Sequence, residues 1–458
     1  MTALQSTTGS MTRRAISTAW PAMAESFFVT LAGMIDTLMV SSLGKNAVAA
    51  VGLTQQPKFI SLTLFFGLNV AVSALVARRK GEQRPEDARK VFLTSLVFAM
   101  LFCVVITVLF VALAPQMMQL AGSNADTHDD AVTYFRIIIS GTFFNVLTMI
   151  INSAQRGSGN TRLSMVTNLT SSVVNVIFNY LLIGGGLGIF PAMGIRGAAI
   201  ATVLGTIVSA GMALISLTRS TSYIRMQDIL DRNEQPTRND AKAIWRLTYN
   251  TSLENIAMRI GFLATALVAA RLGTAEFAVH NVEMQLLGLG FAFADGMQVA
   301  AIALTGESLG AGRKEEARKY GQICQRIGLV ISIALSLMLL VGGRWFTSIF
   351  FTTEVEGSKE ALIDMGVRIN YFVMVIVLLQ ISQIIFSACL RAAGDVRYAL
   401  YAALISVSFI RTAVTLLLVY VFHMGLDGIW FGILSDQLSR FILMSTRFRQ
   451  GKWVDLKI

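Results

Sequence analysis

Twelve runs of about twenty apolar residues follow one another along this chain of 458. They lie near 15–43, 53–77, 91–115, 131–154, 163–187 and 195–218, and again near 243–271, 278–305, 322–342, 366–390, 397–422 and 426–446. Hydrocarbon offers no partner to a backbone N–H or C=O, so such runs can only be helices that bond within themselves. A transmembrane barrel would instead alternate polar and apolar residues over about ten positions. With 54% hydrophobic and 14% charged residues, the chain has too much apolar surface for one soluble core. The expected fold is an all-α polytopic membrane protein of twelve transmembrane helices in two six-helix lobes.

The two lobes are copies. At a spacing of 229 residues Leu43-Gly44 meets Leu272-Gly273, Gly67 meets Gly296, and Ala88-Arg89-Lys90 meets Ala317-Arg318-Lys319. Farther on the spacing becomes 235, with Arg156 on Arg391, Gly159 on Gly394 and Arg162 on Arg397. Soluble repeat arrays have far shorter periods. A duplicated polytopic chain points to a transporter with its site between the repeats near the bilayer midplane. The division expected is 1–218 for the first lobe, a polar linker at 219–242 and 243–458 for the second lobe and tail.

The net charge of +11 sits in alternate loops, which argues against nucleic acid as a partner. Basic residues gather at 78–90, around Arg156 and Arg162, through 219–242, at 313–319, at Arg391 and Arg397, and through 447–457. The loop 116–130 has none, and 343–365 sets Arg344 and Lys359 against Glu354, Glu356, Glu360 and Asp364. Positive loops stay inside, so both termini are expected in the cytoplasm and the repeats run parallel. The first apolar run lacks a cleavage pattern and is expected to act as the membrane signal itself. Cys103, Cys324 and Cys389 are too scattered for a disulfide framework or a zinc site and read as packing residues. No cofactor is expected.

Polar residues inside the spans mark the candidate site, because each is costly in lipid. Asp36 lies deep in span 1 with no basic residue one helical turn away. A carboxylate so placed is stable protonated or with a bound cation, and is otherwise satisfied by a distant arginine or by hydroxyls. Asn175 and Asn179 share one face of span 5 and offer amide oxygens suited to Na⁺, or serve as interhelical glue. Glu25 and Glu254 occupy equivalent places in the repeats, either lining a shared cavity or ending helices; Arg259 is a candidate partner for Glu254. Glu283, Asp295, Arg411 and Asp436 are also intramembrane, the last two as a possible structural ion pair. Pro21 removes one backbone hydrogen bond from span 1 and can bend it, unless it only starts the helix. All six prolines precede the second half.

These motifs together resemble the multidrug and toxic compound extrusion transporters over nearly the whole length. The resemblance rests on Pro21, Asp36-Thr37 and Leu43-Gly44 in span 1, and on Leu75-Val76-Ala77-Arg78 with Gly81 after span 2. Further support comes from the runs beginning at Gln155-Arg156-Gly157 and Cys389-Leu390-Arg391, and from Asn175 and Asn179 followed by 194–202. It implies a two-lobed antiporter of the cytoplasmic membrane, working as a monomer. Such a protein exports organic cations or amphipathic drugs in exchange for Na⁺ or H⁺. By motif position Asp36, Asn175, Asn179 and Thr202 fall on cation- or proton-binding residues, with Asp36, Asn175 and Asn179 as Na⁺ ligands if sodium couples. Pro21 falls on the bending proline. Glu25, Glu254, Gln380 and Gln383 are expected in the substrate cavity. Two departures stand out: Asn179 replaces an Asp found in many prokaryotic members, and Gln380 replaces the span-10 Asp of one branch. The resemblance therefore favours coupling in the first lobe, with a slight lean to Na⁺. The alternative is a lipid-linked oligosaccharide flippase of the same superfamily, although twelve spans and acidic cavity residues fit it poorly. No major-facilitator loop follows span 2, no P-loop appears, and no catalytic constellation suggests an enzyme.

Overall fold

The computed structural model describes residues 8–186, 190–220, 222–350 and 359–456; Glu354, Glu356 and Lys457 of the charge argument lie outside the described residues. Among the described residues there are helices and connecting turns and no strand. The long helices are α1 (Thr8–Ser41), α2 (Lys45–Gly81), α3 (Pro85–Ala112), then after the short α4 (Ala114–Leu120) the pair α5 (His128–Ser140) and α6 (Thr142–Gly157). There follow α7 (Thr161–Ile183), α8 (Gly194–Thr218), the short α9 (Met226–Asp231), α10 (Arg238–Leu272), α11 (Thr274–Gly310), α12 (Lys314–Phe350) and α13 (Lys359–Ala392). The next span opens as α14 (Val396–Ala403), passes through π-helical turns at Leu404–Arg411 and Leu417–Val421 around α15 (Thr412–Leu416), and is followed by α16 (Gly425–Gln450).

Ten of these spans are long and apolar enough to cross a membrane, and α5 with α6, bent by 43°, make an eleventh. The twelfth expected span is α16, whose buried Asp436 and Arg440 reduce its apolar character. Several helices outrun the apolar stretches because polar first and last turns continue them into the interface. Pro85 begins α3 with Glu86 and Asp87 in its first turn, and Arg78, Arg79 and Lys80 close α2, each sign where a helix end favours it. Pro21 lies within α1, thirteen residues past its start, so it is not a first-turn proline. Its missing N–H leaves the Ser17 carbonyl without its helical donor.

The chain forms two compact units, Ala24–Tyr249 and Met1–Met23 with Asn250–Ile458. The first is built on a cluster that includes Val40, Ala50, Met118, Phe135, Ile139, Ile195 and Ala199, drawn from α1, α2, α4, α5 and α8. The duplication is legible in the backbone. Gly159 and Gly394 adopt φ of 90° and 87°, and Gly194 and Gly425 both adopt 56°, so each repeat turns its chain in the left-handed region at matching places.

Candidate functional site

In the Ala24–Tyr249 unit, the break between α5 and α6 positions the site. It falls at Gly141, where a β-carbon would run into the Val203 side chain of α8. Around this break lies a cavity of about 30 Å³, lined by Lys58 and Leu62 of α2, Ile138, Gly141, Thr142 and Asn145 of the bent pair, and Thr202, Val203 and Thr206 of α8. That volume holds about one water or one small ion.

The polar residues singled out in the sequence meet at the same place. Asn179 is fully buried on α7 and donates from Nδ2 to the Asp36 Oδ1 at 2.5 Å, while its own Oδ1 has no partner. One turn away, Asn175 donates to the Thr202 hydroxyl at 3.2 Å, and Thr202 donates to the Ala198 carbonyl at 3.0 Å. Asp36, Asn175, Asn179 and Thr202 thus form one cluster across α1, α7 and α8.

Two members of the cluster escape a reading of the sequence. Tyr134 of α5 is buried, and its phenol reaches Thr202. Lys58 shares the cavity with Thr202 and interacts electrostatically with Asp36. Lys58 gave only an ambiguous sign, a lysine near the start of an apolar span at a place where the second repeat has Leu287. Tyr134 gave a weaker one, as a phenol in an apolar run needs a partner for its hydroxyl.

Glu25 and Glu254 are each held by an arginine of their own repeat. Arg156 bonds Glu25 at 3.1 Å and Asn69 at 3.0 Å, and Asn168 also donates to Glu25 at 2.5 Å. In the other unit Arg391 bonds Glu254 at 2.7 Å and Gln298 at 3.2 Å. The partner of Glu254 is therefore Arg391, not Arg259, because it projects from the facing end of α13. Gln380 and Gln383 are buried on α13; Gln380 packs against Gly290 of α11 with neither side-chain polar atom bonded. Glu283 accepts a bond from Thr347 at 3.2 Å. Arg411 and Asp436 pair as the sequence suggested.

The MatE family profile matches residues 21–181 and 251–417, one stretch in each repeat. The chain belongs to the MatE family. Among MatE relatives it is 25% identical to a probable multidrug resistance protein NorM of Thermotoga maritima, over 96% of this chain and 92% of that protein. It is 23% identical to an uncharacterized transporter, YisQ, of Bacillus subtilis, over 96% and 94%. Its fold matches a crystal structure of MATE in the bent conformation with a TM-score of 0.87 at 23% identity, covering 97% of both chains. It also matches an outward-facing multidrug resistance MATE transporter of the MOP superfamily with a TM-score of 0.88 at 23% identity, over 96% and 97%. This MatE chain is a multi-span membrane transporter and not an enzyme.

Proposed function

We propose that this MatE protein is a secondary antiporter that exports organic cations or amphipathic drugs in exchange for a monovalent cation bound at Asp36. The observation that carries the proposal is the convergence of Asp36, Asn179, Asn175 and Thr202 beside a cavity the size of one ion. Asp36 alternates between loaded and unloaded states as access to the substrate site alternates between the two sides of the membrane. Linkage is reciprocal: an ion that weakens drug binding is itself displaced by drug. The multidrug names of relatives support the substrate class. The basic alternate loops support a cytoplasmic-membrane orientation with both termini inside.

Both H⁺ and Na⁺ suit a carboxylate among amide and hydroxyl oxygens. A positive charge on Lys58 beside Asp36 opposes a metal cation there and opposes protonation of the carboxylate alike, so it does not choose between the two ions. The experiment is efflux of a fluorescent organic cation from proteoliposomes under an imposed pH or Na⁺ gradient. Wild type is expected to respond to one of the two gradients, which names the ion, and Asp36→Asn to neither. Equal export by both proteins would sink the assignment of Asp36. Movement of no cation by the wild type would turn attention to lipid-linked substrates.

A further inference from the structure

The second unit buries a charged cluster that the antiport reading does not use. Arg411 ends the π-helical segment Leu404–Arg411, and its side chain is fully buried. One of its nitrogens, Nη2, bonds Asp436, and the guanidinium carbon lies 4.5 Å from the Phe262 ring centroid. Arg440, one turn beyond Asp436 on α16, donates to the other oxygen of that carboxylate at 3.2 Å, and Gln437 adds a third donor at 3.2 Å. Both oxygens of Asp436 therefore have donors, while Nε and Nη1 of Arg411 have no partner.

Two guanidiniums against one carboxylate leave a positive charge inside a membrane-embedded bundle. Asp436 is the carboxylate in reach of Arg411 among the described residues. Other buried groups nearby are unpartnered and able to donate. The Thr415 hydroxyl sits one turn past Arg411 on the same span, beside Gly432. The His280 ring of α11 interacts electrostatically with Arg411 and packs edge-on against Trp430 at 5.7 Å, and the Trp430 indole N–H is unbonded. Guanidinium and indole nitrogens donate and never accept, which rules out a cation as their ligand. Water would satisfy the hydrogens and leave the charge; an anion answers both. The site's complete burial restricts the ligand to a small ion. π-helical turns also recur where a helix has been adapted to a function.

We propose that the second unit binds one small monovalent anion, of chloride size, on the Nε and Nη1 hydrogens of Arg411, with Thr415 and His280 as further donors. The anion completes the charge balance of the Arg411–Asp436–Arg440 cluster.

The test uses the full-length protein in detergent, with chloride and bromide as probes. Thermal unfolding is compared in chloride and in gluconate at equal ionic strength, and bromide is located by its anomalous signal in crystals. The expected result is a melting temperature several degrees higher in chloride, with a bromide peak at Arg411. Arg411→Met removes the surplus charge and leaves a neutral Arg440–Asp436 pair, so it is expected to fold and to lose the chloride response. Thr415→Val is expected to weaken that response without abolishing it. Equal melting in both salts, or bromide confined to the protein surface, would overturn the proposal. If Arg411→Met fails to fold, the bromide map of the wild type decides alone.

Discussion

The two repeats keep an arginine clamp in common and differ in their interior clusters. Glu25, Arg156 and Asn69 in the first repeat correspond to Glu254, Arg391 and Gln298 in the second, with matching hydrogen bonds. The interior clusters do not correspond. Asp36 and Lys58 meet Thr265 and Leu287 in the second repeat, and Asn175 and Asn179 meet Ile410 and Val414. In the other direction, Arg411 meets Val176. An arginine clamp that ties helix ends is thus framework, retained in both copies. The groups at membrane depth are where each copy was free to specialise. One lobe holds a carboxylate with a single amide donor beside a cavity, and the other holds a carboxylate between two arginines.

That contrast is broken most directly at the two aspartates. Asp436→Asn strips the carboxylate from between two buried arginines and is expected to destabilise by roughly 3–5 kcal/mol in denaturation of the detergent-solubilised protein. Asp36→Asn, which keeps an acceptor for Asn179, is expected to cost only about 1 kcal/mol in the same measurement while abolishing coupled export. Similar costs at both positions would mean that both clusters serve structure alone.

The shared device gives a finer comparison. Arg391→Ala leaves a glutamate whose side chain is 3% exposed, whereas Arg156→Ala leaves one that is 10% exposed and still bonded by Asn168. Both variants are expected to lose about 2–4 kcal/mol, the Arg391 variant more. The reverse order would show that the clamps are not equivalent framework.

The smallest effect is expected at the membrane surface. The hydrogen bond from Lys314 holds the exposed Asp455 carboxyl below the usual carboxylate range. Because the folded value is the lower one, any stability from this pair is present above the unfolded value and lost as pH falls through the folded value. Both side chains are in solvent, so Lys314→Ala is expected to leave the neutral-pH melting temperature unchanged. A measurable drop would mark the tail as a structural part of the second unit.

Much of the fold was legible because hydrocarbon permits one kind of solution to a run of twenty apolar residues, and because duplication repeats its punctuation. The span at 131–154 was readable as a span but not as a bent one, since Gly141 shows its purpose only once Val203 is packed against it. Asp36, Asn175 and Asn179 were visible as polar residues where lipid makes them expensive. Lys58 follows Pro57 near the start of a span and passes for an interfacial residue until the cavity places it. The clamps were hidden for another reason: Arg156 and Arg391 sit in turn motifs of basic loops, where a charge needs no explanation. Pairing across 131 and 137 residues is a property of the packed bundle that no local pattern encodes.

The absence of a single carbon at position 141 has a consequence for how this protein can change. In a collection of variants selected for new export specificities, alterations at Gly141 would be counted among the losses beside those at Asp36, though they leave every charge and hydrogen bond in place. A methyl group there forces Val203 aside and reshapes the wall shared with Lys58 and Thr202. At this joint any residue larger than glycine must first displace Val203.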